Sequence, residues 1–202
     1  MSDTAVAVPH PTSTGIDNTK LAMWTFLGSE CLLFGALLST FLLYRGRVTS
    51  GPRPFDVFDI PFTSVSSFVL LMSSLTMVLA LAAAQRGDQH RLRSWLLATA
   101  FLGMTFISGQ VYEFTVFIKE GFTITSSAAG SAFFVLTSFH GIHVTVGILM
   151  LLSLYGMSMQ GKLGIDRAPA VEYVGLYWHF VDIVWIVLFT LVYLIPAPPV
   201  AT

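Results

Sequence analysis

The chain has 202 residues, 54% of them hydrophobic and only 10% charged, with a formal net charge of −1 and a mean hydropathy of +0.76. Soluble globular domains carry about 25% charged residues, so this balance excludes a soluble fold and predicts an integral membrane protein. The near-neutral charge supplies no basic field that would draw nucleic acid. One cysteine, Cys31, excludes an intrachain disulfide and a cysteine-rich metal site, and its apolar neighbourhood predicts a buried, inert thiol.

In chain order, residues 1–18 are rich in Ser, Thr, Pro and Ala and carry no basic stretch ahead of an apolar core. They read as a disordered tail rather than a signal peptide, which leaves insertion to the first spanning helix. Five apolar segments follow, at about 19–44, 62–84, 94–118, 127–157 and 171–195, each long enough to cross a bilayer. Their apolar runs are continuous rather than alternating, which predicts helices and not barrel strands. The expected fold is therefore all-α, an integral membrane bundle of five transmembrane helices over 19–196 with a short tail at 197–202. No internal repeat is visible, and the odd number of spans argues against paired inverted repeats.

The connections are short. Residues 45–61 hold Gly51, Pro52, Pro54 and Pro61 and read as a turn-rich loop. Gln85-Arg-Gly-Asp-Gln-His-Arg-Leu-Arg93 is a compact charged turn, 119–126 is another short loop, and 158–170 contains Lys162, Arg167 and Pro169. Pro196, Pro198 and Pro199 stop the last helix. With the N-terminus inside, the cytoplasmic face holds Lys20, Arg86, Arg91, Arg93, Lys162 and Arg167, against Arg45, Arg47, Arg53 and Lys119 outside. That bias predicts a cytoplasmic N-terminus and a C-terminus on the outer, periplasmic side.

The polar residues inside these spans carry the functional information. Glu30 lies about ten residues into the first span, His140 about thirteen into the fourth and Asp182 about eleven into the fifth, all near mid-bilayer by the helical rise. His143 and His179 fall about one turn closer to the cytoplasmic side, and Glu113 sits near the outer end of the third span. His179 and Asp182 are three apart and share a helix face. Such groups cost about 3 kcal/mol or more each in hydrocarbon unless they face protein or water, so the helices must meet around them. One reading is a proton or lipid-headgroup site where the acid of the first helix, the histidines of the fourth and the His/Asp pair of the fifth converge, with Glu30 as the leading candidate. The other is a buried hydrogen-bond network that fixes helix packing. His140 and His143 also have a spacing usable for metal or haem ligation.

Trp178, Trp185, Tyr173, Tyr177 and Tyr193 need partners for their polar ends or places at the membrane interface; alternatively they line a lipid groove with the histidines. The small-residue pairs Gly35/Ser39, Thr99/Gly103 and Gly141/Thr145, each four apart, suit close helix contact.

Four motifs, in order, resemble subunit III of the haem-copper respiratory oxidases. Tyr177-Trp-His-Phe-Val-Asp-Ile-Val-Trp185 is similar to that family's last-helix signature, and Phe139-His-Gly-Ile-His-Val-Thr-Val-Gly147 to its His-Gly-Leu-His-Val helix. Gly109-Gln-Val-Tyr-Glu-Phe114 is similar to its Tyr-Glu stretch, and Gly28-Ser-Glu-Cys-Leu-Leu-Phe34 to the segment that carries its buried carboxyl. The resemblance covers about 20–194 and implies a five-helix form lacking the first two helices of seven-helix relatives. It implies that Glu30 occupies the position of the intramembrane carboxyl, and that Glu113, His140, His143, His179 and Asp182 occupy motif positions, with His140, His143, Trp178 and His179 expected in a lipid or polar network. It implies no haem or copper in this chain, those lying in partner subunits, and a role in packing against subunit I, holding phospholipid and supporting proton uptake. Subunit II and a small subunit IV are further implied partners, and cytochrome c acts on the complex rather than on this chain. One departure is Ala82-Ala-Ala-Gln85, which replaces the histidine-bearing helix end of the seven-helix relatives, with His90 nearby.

The expectation is thus an accessory subunit III of a proton-pumping cytochrome c oxidase in a bacterial plasma membrane, itself without a redox centre. Subunit III of a quinol oxidase shares the layout and remains the alternative. A more distant one is an independent proton-coupled transporter using Glu30, His140 and Asp182.

Overall fold

The computed structural model describes residues 17–46 and 57–195. Five long helices follow one another: α1 (Asn18–Tyr44), α2 (Ile60–Gln85), α3 (Gln89–Lys119), α4 (Ala128–Met159) and α5 (Ala168–Leu188). A short 3-10 turn, Ile165–Arg167, leads into α5, and a π-helical stretch, Phe189–Leu194, continues it. All five are long and apolar enough to cross a membrane. The tails expected over 1–18 and 197–202 lie outside the described residues except for Asp17 and Asn18, as do Gly51, Pro52, Pro54 and the three prolines at 196, 198 and 199.

Helix starts are set by side chains that accept the free N–H groups of a first turn. Asp17 accepts from Thr19, Asp59 from Phe62, Asp88 from Arg91 and Ser127 from Gly130. The Asp88 cap explains why α3 begins at Gln89, ahead of the apolar segment expected from 94. Its charged first turn is helical, but hydropathy reports only the part that lipid solvates. Three helices end on a glycine in the left-handed region: Gly87 at φ +73°, Gly121 at +83° and Gly161 at +69°. After each, the next N–H returns to a carbonyl of the last turn, Asp88 to Ala83, Phe122 to Phe117 and Lys162 to Met157. A side chain at those glycines would strain this closure.

The packing is asymmetric. α2 lies along α3, α3 along α4, and α5 against both α2 and α4, while α1 packs on α4 and α5. α5 is therefore the central helix, and its two tryptophans are its pins. Trp178 and Trp185 are fully buried, and each donates its indole N–H to a serine of α2, Trp178 to Ser73 at 2.9 Å and Trp185 to Ser67 at 2.8 Å. A Cβ on Gly103 of α3 would stand 2.6 Å from Trp178, and one on Gly147 of α4 would stand 2.8 Å from the same ring. Those two glycines let the indole close a three-helix contact. Tyr193 is buried as well, so neither it nor the tryptophans form a membrane-edge belt within this chain.

Two expectations need correction. α1 buries only Leu27, Phe34 and Phe41, a stripe spaced by two turns, and Cys31 falls off that stripe and is exposed. Gly35 and Ser39 face outward for the same reason: nothing lies within 4 Å of a Cβ built on Gly35, and Ser39 bonds only its own helix. Thr99 and Gly103, by contrast, are buried, with Thr99 bonded to Thr76 of α2 at 2.8 Å.

Ser67→Ala is expected to destabilise the protein by about 1–3 kcal/mol, because the buried indole N–H of Trp185 loses its acceptor. Ser64→Ala on the same helix removes only a bond to its own helix, to Ile60, and should be near neutral. Thermal unfolding in detergent, read on the tryptophan fluorescence of both variants, checks the difference.

Candidate functional site

The hydrogen bonds of the intramembrane polar groups fall into three separate sets. The first joins α1 and α4, where Nε2 of His143 lies 3.1 Å from Oε2 of Glu30, with the two side chains 14% and 15% exposed. Nδ1 of the same ring lies 2.7 Å from the carbonyl of Phe139, one turn earlier. A carbonyl only accepts, so Nδ1 carries a proton and donates. Nε2 and the Glu30 oxygen are then two acceptors in contact unless one more proton lies between them. A hydrogen bond at this contact therefore requires one proton between the two atoms, as Glu–OH donating to a neutral ring or as an imidazolium donating to a carboxylate. The proton's partners are otherwise apolar or fixed: Phe34 stands edge-on to His143 with centroids 5.0 Å apart, and Tyr177 donates to the His143 carbonyl at 3.0 Å. Glu30 thus meets one of the two histidines of the fourth span, His143.

The second group joins α5 to α2. His179 and Asp182 share a face as their spacing requires, but they do not bond each other. Nδ1 of His179 meets the hydroxyl of Ser74 at 2.6 Å. Asp182 is buried, and neither carboxyl oxygen has a hydrogen-bond partner among the described residues. The third is near the C-terminal end of α3, where Thr63 of α2 donates to Glu113 inside the protein.

His140 stands apart from all three. It is fully buried with neither ring nitrogen hydrogen-bonded among the described residues, stacked on Trp185 at 4.8 Å and edge-on to Phe106 at 5.9 Å. Among the described residues, no three His, Cys, Asp or Glu side chains gather closely enough to hold a metal ion together. Trp178 is enclosed by protein, so any groove for lipid in this chain is lined by other residues.

The ends of the bundle are laced by contacts that sequence reading missed. Lys20 of α1 meets Glu172 of α5 at 2.7 Å, and Tyr173 donates to Asp17, which holds the Asp17 carboxyl below the ordinary carboxylate range. Arg45, just past α1, donates to the carbonyls of Leu191 and Ile195 at 3.4 and 3.2 Å, where the π-helical end leaves acceptors free. On the side of the N-terminus, Arg93 of α3 donates to the Ser158 hydroxyl at 3.0 Å and carbonyl at 2.6 Å, closing the end of α4. The missed partners in the membrane, Thr63, Ser67, Ser73 and Ser74, are all on α2. A row of hydroxyls along an otherwise apolar span was their signal, since such hydroxyls are acceptors for the tryptophans and histidines of another helix.

Comparison with known proteins fits this picture. The family model described as cytochrome c oxidase subunit III matches residues 4–196. The chain is 36% identical to the cytochrome c oxidase subunit 3 of Bacillus sp. strain PS3, over 96% of this chain and 94% of that protein. It is 38% identical to the cytochrome c oxidase subunit 3 of Bacillus subtilis, again over 96% and 94%. It is also 37% identical to the probable quinol oxidase subunit 3 of Staphylococcus saprophyticus, over 87% and 88%.

Proposed function

The chain belongs to the cytochrome c oxidase subunit III family, and from that membership we propose that it serves a cytochrome c oxidase by holding a proton at the α1–α4 contact in support of proton uptake. Membership makes it subunit III of a haem-copper oxidase and a multi-pass protein of a bacterial membrane. The observation that supports the finer reading is the Glu30–His143 contact, whose hydrogen-bond geometry calls for one proton shared between two helices. Residues that merely glued helices together would not need that exchangeable proton, and Ser74 or Thr63 shows how neutral hydroxyls do that work here.

In this reading haem and copper lie in partner subunits, with subunit I the main contact and subunit II and a small subunit IV beside it. The N-terminus is cytoplasmic, in keeping with the basic residues of the α2–α3 and α4–α5 connections. Cytochrome c is the donor to the complex, which the broader alignment to relatives named for cytochrome c oxidase supports. The relatives named for quinol oxidase favour the second reading, in which the same subunit serves a quinol oxidase.

A mild-detergent purification through this chain tests both, with a reduced-minus-oxidised haem spectrum and oxygen uptake driven by reduced cytochrome c and then by quinol. Haem with cytochrome c activity is expected. Haem with quinol activity alone would transfer the chain to the second reading, and a colourless, solitary protein would overturn both and leave a proton-coupled transporter.

A further inference from the structure

The charged turn between α2 and α3 is only partly used by the fold. Arg93 closes the end of α4, and Asp88 caps α3, but Arg86, His90 and Arg91 remain at the surface. They border a cleft of about 710 Å³ whose lining includes Leu79, Ala83, Arg86, Asp88, Arg91 and Trp95. Arg86 spends one donor, Nε, on the carbonyl of Ala82 at 3.1 Å, and its other guanidinium donors make no hydrogen bond among the described residues. Arg91 pairs with Asp88 at 3.2 Å through Nε, so the one carboxylate of the cleft is matched by one of its two arginines. That leaves the cleft with a net positive charge.

The order of the lining by depth is as telling as its charge. Arg86 is at the end of α2 and Arg91 in the first turn of α3, both at the edge of the spans. Ala83 and Leu79 lie on α2 below Arg86, the latter about 10 Å deeper by the helical rise, and Trp95 lies one turn below Arg91. Trp95 is half-buried, and its indole N–H has no partner among the described residues. From the rim inward the cleft therefore presents two guanidinium groups, then a free indole donor, then an apolar floor. A glycerophospholipid presents a phosphate, then ester carbonyls, then acyl chain, in that order and over that length.

We propose that this cleft is a binding site for an anionic phospholipid, with its phosphate between Arg86 and Arg91, an ester carbonyl at the Trp95 indole and the upper acyl chain along Ala83 and Leu79. The excess positive charge selects a net-negative headgroup over a zwitterionic one, because a cation at the membrane surface favours anionic lipid about fivefold. The site is independent of the Glu30–His143 pair. It rests on the proposed function only in that the chain is tested within its oxidase complex, whose assembly the haem spectrum scores separately.

The test reconstitutes the haem-bearing complex into phosphatidylcholine nanodiscs containing a trace of photoreactive phosphatidylglycerol and maps the crosslinks on this chain. Label is expected between residues 79 and 95, competed by unlabelled phosphatidylglycerol. The Arg86→Gln/Arg91→Gln double variant should lose at least about fivefold of it, and Lys162→Gln, an exposed cation on the same side, should keep it. Should the double variant fail to assemble, Trp95→Leu is expected to lower the label while Arg86→Lys/Arg91→Lys retains it. Equal labelling of wild type and neutralised variants would overturn the proposal. So would label elsewhere on the chain, equal labelling by photoreactive phosphatidylcholine, or displacement by inorganic phosphate as effective as by unlabelled phosphatidylglycerol, which would make the cleft a simple anion site.

Discussion

Gly147→Val is expected to remove this chain from the assembled oxidase, while Gly156→Val, further along the same helix, leaves its level unchanged. The contrast follows from what each new side chain meets. A Cβ at Gly147 stands 2.8 Å from two carbons of Trp178 and 3.3 Å from Tyr177, whereas nothing lies within 4 Å at Gly156. Trp178 cannot yield, because its Cη2 and Cζ2 atoms are against Gly103 and its N–H is tied to Ser73. Overpacking of a rigid core contact costs about 1–3 kcal/mol and occasionally more. The gain from replacing a helical glycine is below about 1 kcal/mol, so the clash wins. Trp178→Ala alone should cost about 3–5 kcal/mol, and combined with Gly147→Val the loss should be smaller than the sum, since the valine fills space the ring vacates. Immunoblots of the purified complex and thermal unfolding of all four proteins check the cycle; additive costs would show that Trp178 and Gly147 do not share a contact.

Glu30→Gln is expected to leave assembly and the haem spectrum intact, yet to shorten the working life of the oxidase severalfold or slow its proton uptake. The amide of glutamine can still donate to Nε2 of His143, so the helix contact survives. An intramembrane hydrogen bond of this kind is worth only about 0.6 kcal/mol on average in any case. What the substitution removes is the exchangeable proton, since an amide neither gives nor takes one. His143→Phe should reproduce the effect from the other side. Oxygen uptake followed to exhaustion, together with proton uptake by a pH dye in vesicles, provides the measurement. Normal turnover and normal uptake in both variants would reduce the pair to packing, and loss of haem would count against a chain without a redox centre of its own.

The five spans were legible because lipid imposes one demand, a long apolar helix, and each segment states it independently. Which helices meet was not, because the determinants are pairs: a Trp on α5 and a Ser on α2, a Gly on α3 facing a ring from α5. Glu30, His143, His179, Asp182 and Glu113 stood out as residues expensive in hydrocarbon, but their partners did not follow from depth alone. Depth placed Glu30 level with His140, whereas His143, one turn along, is the residue turned toward α1. Likewise, the spacing of His179 and Asp182 placed them on one face correctly, yet that face meets α2, and Ser74 takes the histidine. The charged turn was read as a connection because charge outside the membrane costs nothing and so carries no obligation; only the cleft distinguishes the arginine used for capping from the two left at its rim.

The placement of α1 bears on how the protein is made. This helix emerges before the other four described here, yet it packs on α4 and α5 rather than on its sequence neighbour. At synthesis rates of about 5–20 residues per second, roughly ten seconds separate its emergence from that of the helix bearing His143, and longer from that of Glu172 and Tyr173. Throughout that interval α2 and α3 can pair with each other while α1 waits alone in lipid, its acidic side chain without the imidazole that will receive it. The earliest helix is thus the last to be seated, and a ribosome stalled before α4 would leave it available to whatever neighbour the membrane offered.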